Sequence, residues 1–271
     1  MPEHIPPSEG RAAFGRQSVP YERARPDYPA RVYELLVAHC GLSDGCRTIE
    51  VGAGSGQVSK RLVELGARPL VAVEPDRGFE KALQSLVETT AGAVVPLYAP
   101  FESASVENGA FDLAVCATSF HWLDREIGPP KLGACLRAGG WLVLFWNVFG
   151  DPRQPDPFHE VTAPLLAGLA RSPSHARRGT VPFALDREAR ASDFSAAQAD
   201  RDFTVEEVRW TLTLDPEQVR ALYSTWASIS RLPHARREAL LDRIESIAES
   251  QFGGVVERKM VTPIYLGRRV G

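Results

Sequence analysis

The sequence predicts an α/β protein: a mostly parallel sheet of seven strands, helices between them, and a partly helical insertion after the fifth strand. Three observations lead there. The first half of the chain alternates short apolar runs with amphipathic stretches, as strands joined by crossover helices do. The first apolar run empties into a glycine-rich turn, Gly52-Ala53-Gly54-Ser55-Gly56, which opens a helix. After Phe149 the alternation stops, and strand-like patterning returns only near Phe203 and again at Val255.

Each element has its own signal. Pro29–Cys40 places Val32, Leu35, Leu36 and His39 on one helical face, with proline suited to the first turn. Strands are expected at Arg47–Val51, Leu70–Glu74, Val94–Tyr98, Phe111–Cys116 and Trp141–Trp146, and helices between them at Gln57–Leu65, Gly78–Thr89 and Pro130–Arg137. Arg137-Ala138-Gly139-Gly140 reads as a helix stop feeding the fifth strand. Phe149–Asp200 is rich in Pro, Ala, Arg and Ser. A structureless connection of that length is unusual, so it is expected to be partly helical, with Pro164 as a candidate interruption and Ser172-Pro173-Ser174 as a loop. In Phe203–Leu214 the residues Val205, Val208, Trp210, Leu212 and Leu214 largely alternate with polar ones. Asp215-Pro216-Glu217 is an N-cap followed by proline at the first helical position. Pro233–Ser250 is an amphipathic helix ended by Gly253-Gly254, and Val255–Arg268 is a final strand.

Composition narrows the class. With 271 residues and 44% hydrophobic content, the chain can bury one large α/β domain with a sizeable insertion. A net charge of −3 creates no field favouring nucleic acid, and there is no basic stripe with interleaved aromatics. Cys40, Cys46, Cys116 and Cys135 lack ligand-type spacing; Cys116 and Cys135 lie in apolar runs and are expected as buried thiols, and no metal site is expected. No apolar run approaches the roughly 18–20 residues of a membrane span. Residues 1–20 read as a flexible leader, 21–148 as the core, 149–201 as a helical cap and 202–271 as the end of the core. A cytoplasmic monomer or homodimer is the expectation.

The chemistry gathers around the glycine turn. Its pattern is G-x-G-x-G, not the G-x-G-x-x-G of dinucleotide sites, and Glu50 stands two residues before the first glycine. A carboxylate there repels a pyrophosphate and attracts a cation, such as the ammonium of an amino-acid-like cofactor. That points to S-adenosylmethionine (SAM). Glu74 ends the second strand, 20 residues beyond Gly54, where an acid can accept both hydroxyls of a ribose or simply cap the next helix. The strand Phe111–Cys116 runs into Ala117-Thr118-Ser119-Phe120-His121-Trp122. Ligand crevices in open α/β sheets lie at the carboxyl ends of strands, so His121 is expected near the reacting methyl group. It is the candidate general base; the other readings are a residue lining cofactor or substrate, or a structural histidine.

These motifs together resemble the class I SAM-dependent methyltransferases of the small-molecule branch, with a methyltransferase type 11/25-like domain. The resemblance is carried by Tyr21-Glu22-Arg23-Ala24-Arg25-Pro26-Asp27-Tyr28-Pro29, Glu50–Gly56, Val73-Glu74-Pro75-Asp76, Ser119-Phe120-His121-Trp122 and Leu136-Arg137-Ala138-Gly139-Gly140. It implies a Rossmann-like sheet with helices on both faces and an antiparallel last strand. It also implies that Glu50, Gly52, Ala53 and Gly54 face the methionine part of SAM and Glu74 the ribose. Pro75, Phe101 and Glu102 would lie beside the adenine, Thr118 behind the methionine end, and Tyr21 and Arg25 in a lid. Where many relatives have an aspartate before the residue matching Phe101, this chain has Pro100.

The acceptor is expected in a pocket built by the lid, the cap and the region around Tyr223, with Trp122, Trp146, Phe149, Tyr223 and Trp226 as candidate linings, though Trp226 on an apolar face also suits a core position. His159 and His175 are minor candidate bases. Arg171, Arg177, Arg178, Arg187 and Arg190 can attract a carboxylate or diphosphate acceptor, or form a solvated surface. The expected function is methyl transfer to an O, N or C atom of a small molecule. The competing readings are a SAM-binding protein without methyl transfer and an NAD-dependent oxidoreductase.

Overall fold

The structure is a computed structural model that describes residues 5, 6, 9, 24–174 and 181–271. After helix α1 (Ala30–Ala38) come β1 (Cys46–Val51), α2 (Gln57–Glu64), β2 (Ala67–Val73), α3 (Glu80–Thr89), β3 (Val94–Leu97), β4 (Phe111–Ala117), α4 (Gly128–Cys135) and β5 (Leu136–Phe145). A two-residue strand β6 (Val148–Phe149) leads into α5 (Pro157–Leu166) and α6 (Arg187–Ala196). The chain ends with β7 (Arg201–Leu214), α7 (Pro216–Ser224), α8 (Ala227–Ser230), α9 (His234–Phe252) and β8 (Val256–Arg268).

The sheet runs β3-β2-β1-β4-β5-β8-β6, with β7 also paired to β8. Strands β1 to β5 are mutually parallel; β8 is antiparallel to β5, β6 and β7, so the reversed last strand is as expected. The eighth strand is β6, which continues along β8 after the bend at Trp146-Asn147 and is too short to leave a periodic trace in the sequence. A second difference lies at Arg137–Gly140. These residues do not stop a helix. Helix α4 ends at Cys135, and they form a bulge in β5, where the register with β4 jumps from Phe111↔Leu136 to Leu113↔Trp141.

Alternation across the sheet divides the core. Leu113 and Val115 of β4 face the layer of α1, α2 and α3, where Leu36, Leu62 and Leu83 are fully buried. Ala114 and Cys116 face the opposite layer, with Leu132 of α4 and Phe194 of α6. A third cluster joins the cap to the C-terminal helices through Phe158, Val219, Tyr223, Leu241 and Ile244. Burying a leucine or phenylalanine side chain contributes roughly 1.5–3 kcal/mol, so this cluster firmly ties the cap to the sheet's far edge. Pro164 does not interrupt α5, which ends two residues after it. All four cysteines are free and buried.

Of the segment expected as a flexible leader, Ile5, Pro6 and Glu9 are described. Ile5 is buried against Trp122 and Ala227, and its N–H donates to the Arg171 carbonyl at 2.9 Å. At that position the leader is a packed part of the molecule, because an isoleucine side chain there removes apolar surface from water.

Candidate active site

The site forms where β1, β2 and β4 end. Beyond β1, Gly52 has φ +80°, and a Cβ on it would lie 2.4 Å from Ser119 Cβ, so the turn can lie this close to the end of β4 only as glycine. Ser119 Oγ reaches back to the Val51 carbonyl, and the Gly52 and Ala53 amides donate to Val73 O at 2.8 and 3.1 Å. These contacts lock three strand ends together. Thr118, at the end of β4, adopts φ +52°, an unusual conformation for a β-branched residue, and its hydroxyl is 2.6 Å from that of Tyr28. Asn147 Nδ2 donates to the carbonyls of Pro26 and Asp27 at 3.3 Å each, holding the N-terminal segment over the turn.

Two carboxylates are buried at this edge. Glu50 is bonded by the Ser59 hydroxyl from α2, and burial pushes its carboxyl up to about 8 against the pull of that bond, with the nearby Glu74 charge adding to the rise. Glu74 accepts the backbone N–H groups of Gly54 and Asp76, both at 2.8 Å, yet burial still raises it to about 7. Both acids are therefore poorly compensated without a cationic or hydroxyl-bearing ligand.

A cavity of about 990 Å³ opens at this edge and continues under the cap. Of the expected cofactor residues, Arg25, Gly52, Gly54, Glu74, Pro75, Phe101 and Thr118 line it. Glu50 and Ala53 line an adjoining recess of about 80 Å³ together with Arg25, Gly52, Gly54 and Thr118. Tyr21 lies outside the described residues. Glu102 does not line the cavity: its carboxylate accepts the Asp124 N–H at 2.8 Å, which turns it to the loop after β4.

The candidate acceptor linings Trp122, Trp146, Phe149 and Trp226 line the cavity, and so does His121, the candidate general base. Tyr223 does not. It is fully buried, stacked on Trp226 at 4.2 Å, and its hydroxyl accepts from Arg258 Nη1 at 3.1 Å. It supports the pocket wall from behind. His159 lines the cavity, while His175 lies outside the described residues. The sequence reading missed Arg258. The signal was there: Val256, Arg258 and Met260 share one face of β8, and the outer two are plain core residues. Arg258 is neutralised by Asp156, with Nε and Nη2 at 2.9 and 2.8 Å from one carboxylate oxygen. Asp156 also caps α5 by accepting the His159 N–H, so the pair fastens the cap to β8.

His121 is held in a defined state. Trp146 Nε1 donates to His121 Nδ1 at 3.2 Å, and the ring lies 5.0 Å from Trp122 and 5.9 Å from Phe183 between centroids. An indole N–H only donates, so Nδ1 is the acceptor and the neutral ring carries its proton on Nε2.

Comparison with known proteins points to methyltransferases. Residues 49–144 match the methyltransferase domain family. The chain is 25% identical over 257 residues to an uncharacterized methyltransferase of Schizosaccharomyces pombe, covering 92% of this chain and 94% of that one. The chain is thus similar to the class I SAM-dependent methyltransferases, and residues 49–144 match their methyltransferase domain. An uncharacterized methyltransferase of Mycobacterium tuberculosis is 32% identical to it over 135 residues, half of this chain, and that match spans about half (52%) of the relative's length. This chain also shares its fold with the Bacillus subtilis YcgJ protein (TM-score 0.57, 16% identity, 90% of this chain and 100% of that chain). So does Haemonchus contortus phosphoethanolamine N-methyltransferase 2, solved with phosphomonomethylethanolamine and S-adenosylhomocysteine (TM-score 0.59, 12% identity, 97% of this chain and 60% of that chain).

The donor set of the site suits SAM. A buried carboxylate and the guanidinium of Arg25 share the recess, matching the two charges of an amino-acid head, and Glu74 lines the main cavity among apolar groups suited to a nucleoside. Among the described residues no cluster of His, Cys, Asp and Glu could hold a metal ion, and no helix is long and apolar enough to cross a membrane.

Proposed function

We propose that this chain transfers a methyl group from SAM to a small-molecule acceptor seated in the apolar part of the cavity. The observation that carries this reading is continuity: one cavity joins the carboxylate-and-glycine edge of the sheet to a chamber lined by Trp122, Trp146, Phe149 and Trp226. Bound SAM supplies an electrophilic methyl group on a sulfonium centre. Glu50 would hold its ammonium, Arg25 its carboxylate and Glu74 its ribose hydroxyls, while Pro75 and Phe101 flank the base. The aromatic chamber keeps water from the acceptor and fixes its approach.

His121 lines the same cavity. Because Nδ1 accepts from Trp146, the ring offers Nε2–H as a donor, so we assign His121 the task of orienting the acceptor by donating a hydrogen bond. Trp146 is the positioning residue that sets the tautomer. This differs from the general-base role, and one substitution separates them. His121→Gln keeps a terminal N–H donor but no basic nitrogen. As a donor site it should retain kcat within roughly tenfold, whereas loss of a general base costs roughly 10²–10⁴. The function itself is tested by calorimetry with S-adenosylhomocysteine, followed by SAM turnover against an acceptor panel. No binding, or binding of NADH in its place, would refute it. Binding with no turnover across the panel would favour a protein that uses SAM structurally.

A further inference from the structure

Among the described residues, three arginines line the cavity: Arg25, Arg171 and Arg258. Arg258 is neutralised by Asp156, and Arg25 donates to the Thr225 carbonyl at 3.4 Å. Of the five cap arginines singled out in the sequence, Arg187 pairs with Glu207 at 2.7 Å and Arg190 with Asp193 at 2.7 Å, while Arg177 and Arg178 lie outside the described residues. That leaves Arg171.

The backbone at Arg171 is fixed. Its carbonyl accepts the Ile5 N–H at 2.9 Å, Leu169 packs in the cap core, and Ala170 packs with Trp122 and Ala227. Its side chain is half-buried at the cavity wall and has no ion pair or hydrogen bond with any described residue. Among the described residues, the acidic residue of the cap that shares this cavity is Glu160, which is exposed. A partly desolvated cation facing a mainly apolar chamber is costly unless a ligand completes it. The planar fork of a guanidinium matches an oxyanion with two equivalent oxygens.

We propose that Arg171 is the anion-binding residue of the acceptor subsite, and that the acceptor is therefore an apolar acid, a hydrophobic or aromatic body bearing a carboxylate. The proposal rests on the methyltransferase reading of the cavity. A single cation balances a carboxylate. A phosphate monoester, with charge near −1.5 to −2, would leave excess negative charge in an apolar chamber.

The test needs no turnover. Trp122, Trp146 and Trp226 line the chamber, so ligand entry is read by intrinsic fluorescence of the full chain saturated with S-adenosylhomocysteine. Decanoate should bind roughly 10–100-fold more tightly than decan-1-ol or decyl phosphate, the range of a charge-assisted hydrogen-bonded pair. Arg171→Gln should abolish that preference while leaving the decan-1-ol and S-adenosylhomocysteine dissociation constants unchanged, and Arg171→Lys should retain part of it. Equal binding of decanoate and decan-1-ol to the wild type overturns the proposal, as does Arg171→Gln weakening both ligands equally. A preference for decyl phosphate overturns the carboxylate assignment. Failure of S-adenosylhomocysteine to bind the wild type in calorimetry would instead strike the methyltransferase reading.

Discussion

Glu50 is expected to destabilise the unliganded protein and to be required for the liganded one. The perturbation that shows this is Glu50→Gln, which keeps the shape of the side chain and removes its charge. In the unliganded fold the Glu50 carboxyl is held at about 8, against 4.5 for an unburied carboxyl. The folded state therefore binds this proton more tightly than the unfolded state. Its contribution to stability is fully present below pH 4.5 and is lost as the pH rises through about 8. At about 1.36 kcal/mol per pH unit, the loss is about 3 kcal/mol at pH 7 and about 5 kcal/mol above pH 8. Glutamine has no such dependence. It adds a buried N–H₂ that needs an acceptor, which returns about 1–3 kcal/mol of that gain.

The assay is thermal unfolding of the unliganded protein from pH 5 to 9, paired with calorimetry of SAM binding. Wild type should lose stability across this window, with Glu74, raised to about 7, contributing in the same direction. Glu50→Gln should lose less and melt higher than wild type above pH 8, by roughly 2 °C per kcal/mol for a chain of 271 residues. SAM binding should run the other way. Its ammonium favours ionised Glu50, so binding to wild type releases a proton and strengthens by up to tenfold per pH unit as the pH rises toward 8; the variant should bind weakly and without that slope. A variant that melts with the wild-type pH dependence, or binds SAM as tightly as wild type, would refute the reasoning.

Other perturbations test other parts of the site. Gly52→Ala places a methyl 2.4 Å from Ser119 Cβ at φ +80°, so the turn must move; S-adenosylhomocysteine affinity in calorimetry should fall by at least tenfold while the far-ultraviolet circular dichroism stays unchanged. Arg190 is buried over the Phe183 ring at 3.5 Å and bonded to Asp193 and the Phe183 carbonyl. Arg190→Met should cost roughly 3–5 kcal/mol in urea unfolding, because it leaves Asp193 as a poorly compensated buried charge, and Asp193→Asn in the same chain should restore part of it.

The glycine-turn edge of the sheet was legible because its signals are local and forced. Glu50, the glycine turn and Glu74 fall within one strand–turn–helix–strand unit, and the only partners they need lie in that unit or at the next strand end. Where the expectation went astray, a longer-range contact decided the outcome. Glu102 stands beside Phe101 in sequence, but the Asp124 N–H claims its carboxylate. Tyr223 has the composition of a pocket residue, but stacking on Trp226 and the bond from Arg258 draw it into the core. The two glycines at 139–140 have the look of a helix cap, but the strand register absorbs them as a bulge.

The acceptor end is harder to read because no single segment makes it. Its wall combines α5, the stretch around Arg171, residues 182 and 184, the turn into α8 and one arginine of β8. These come together through two contacts that span the chain: Arg258 with Asp156, and the Ile5 amide with the Arg171 carbonyl. Neither has a spacing that a motif could encode. Charge, however, is distributed along the cavity with an order that composition conceals. Glu50 and Glu74 sit at the sheet edge, and Arg171 sits at the cap wall. Once those carboxyls are ionised, an acid entering this cavity is repelled from the first and drawn to the second, while the ammonium of an amino-acid head experiences the reverse and Arg25 matches the head's carboxylate. The two ligands are thereby assigned to opposite ends before any shape selection acts, and exchanging the charge at Arg171 should weaken the acceptor's discrimination without disturbing the cofactor's.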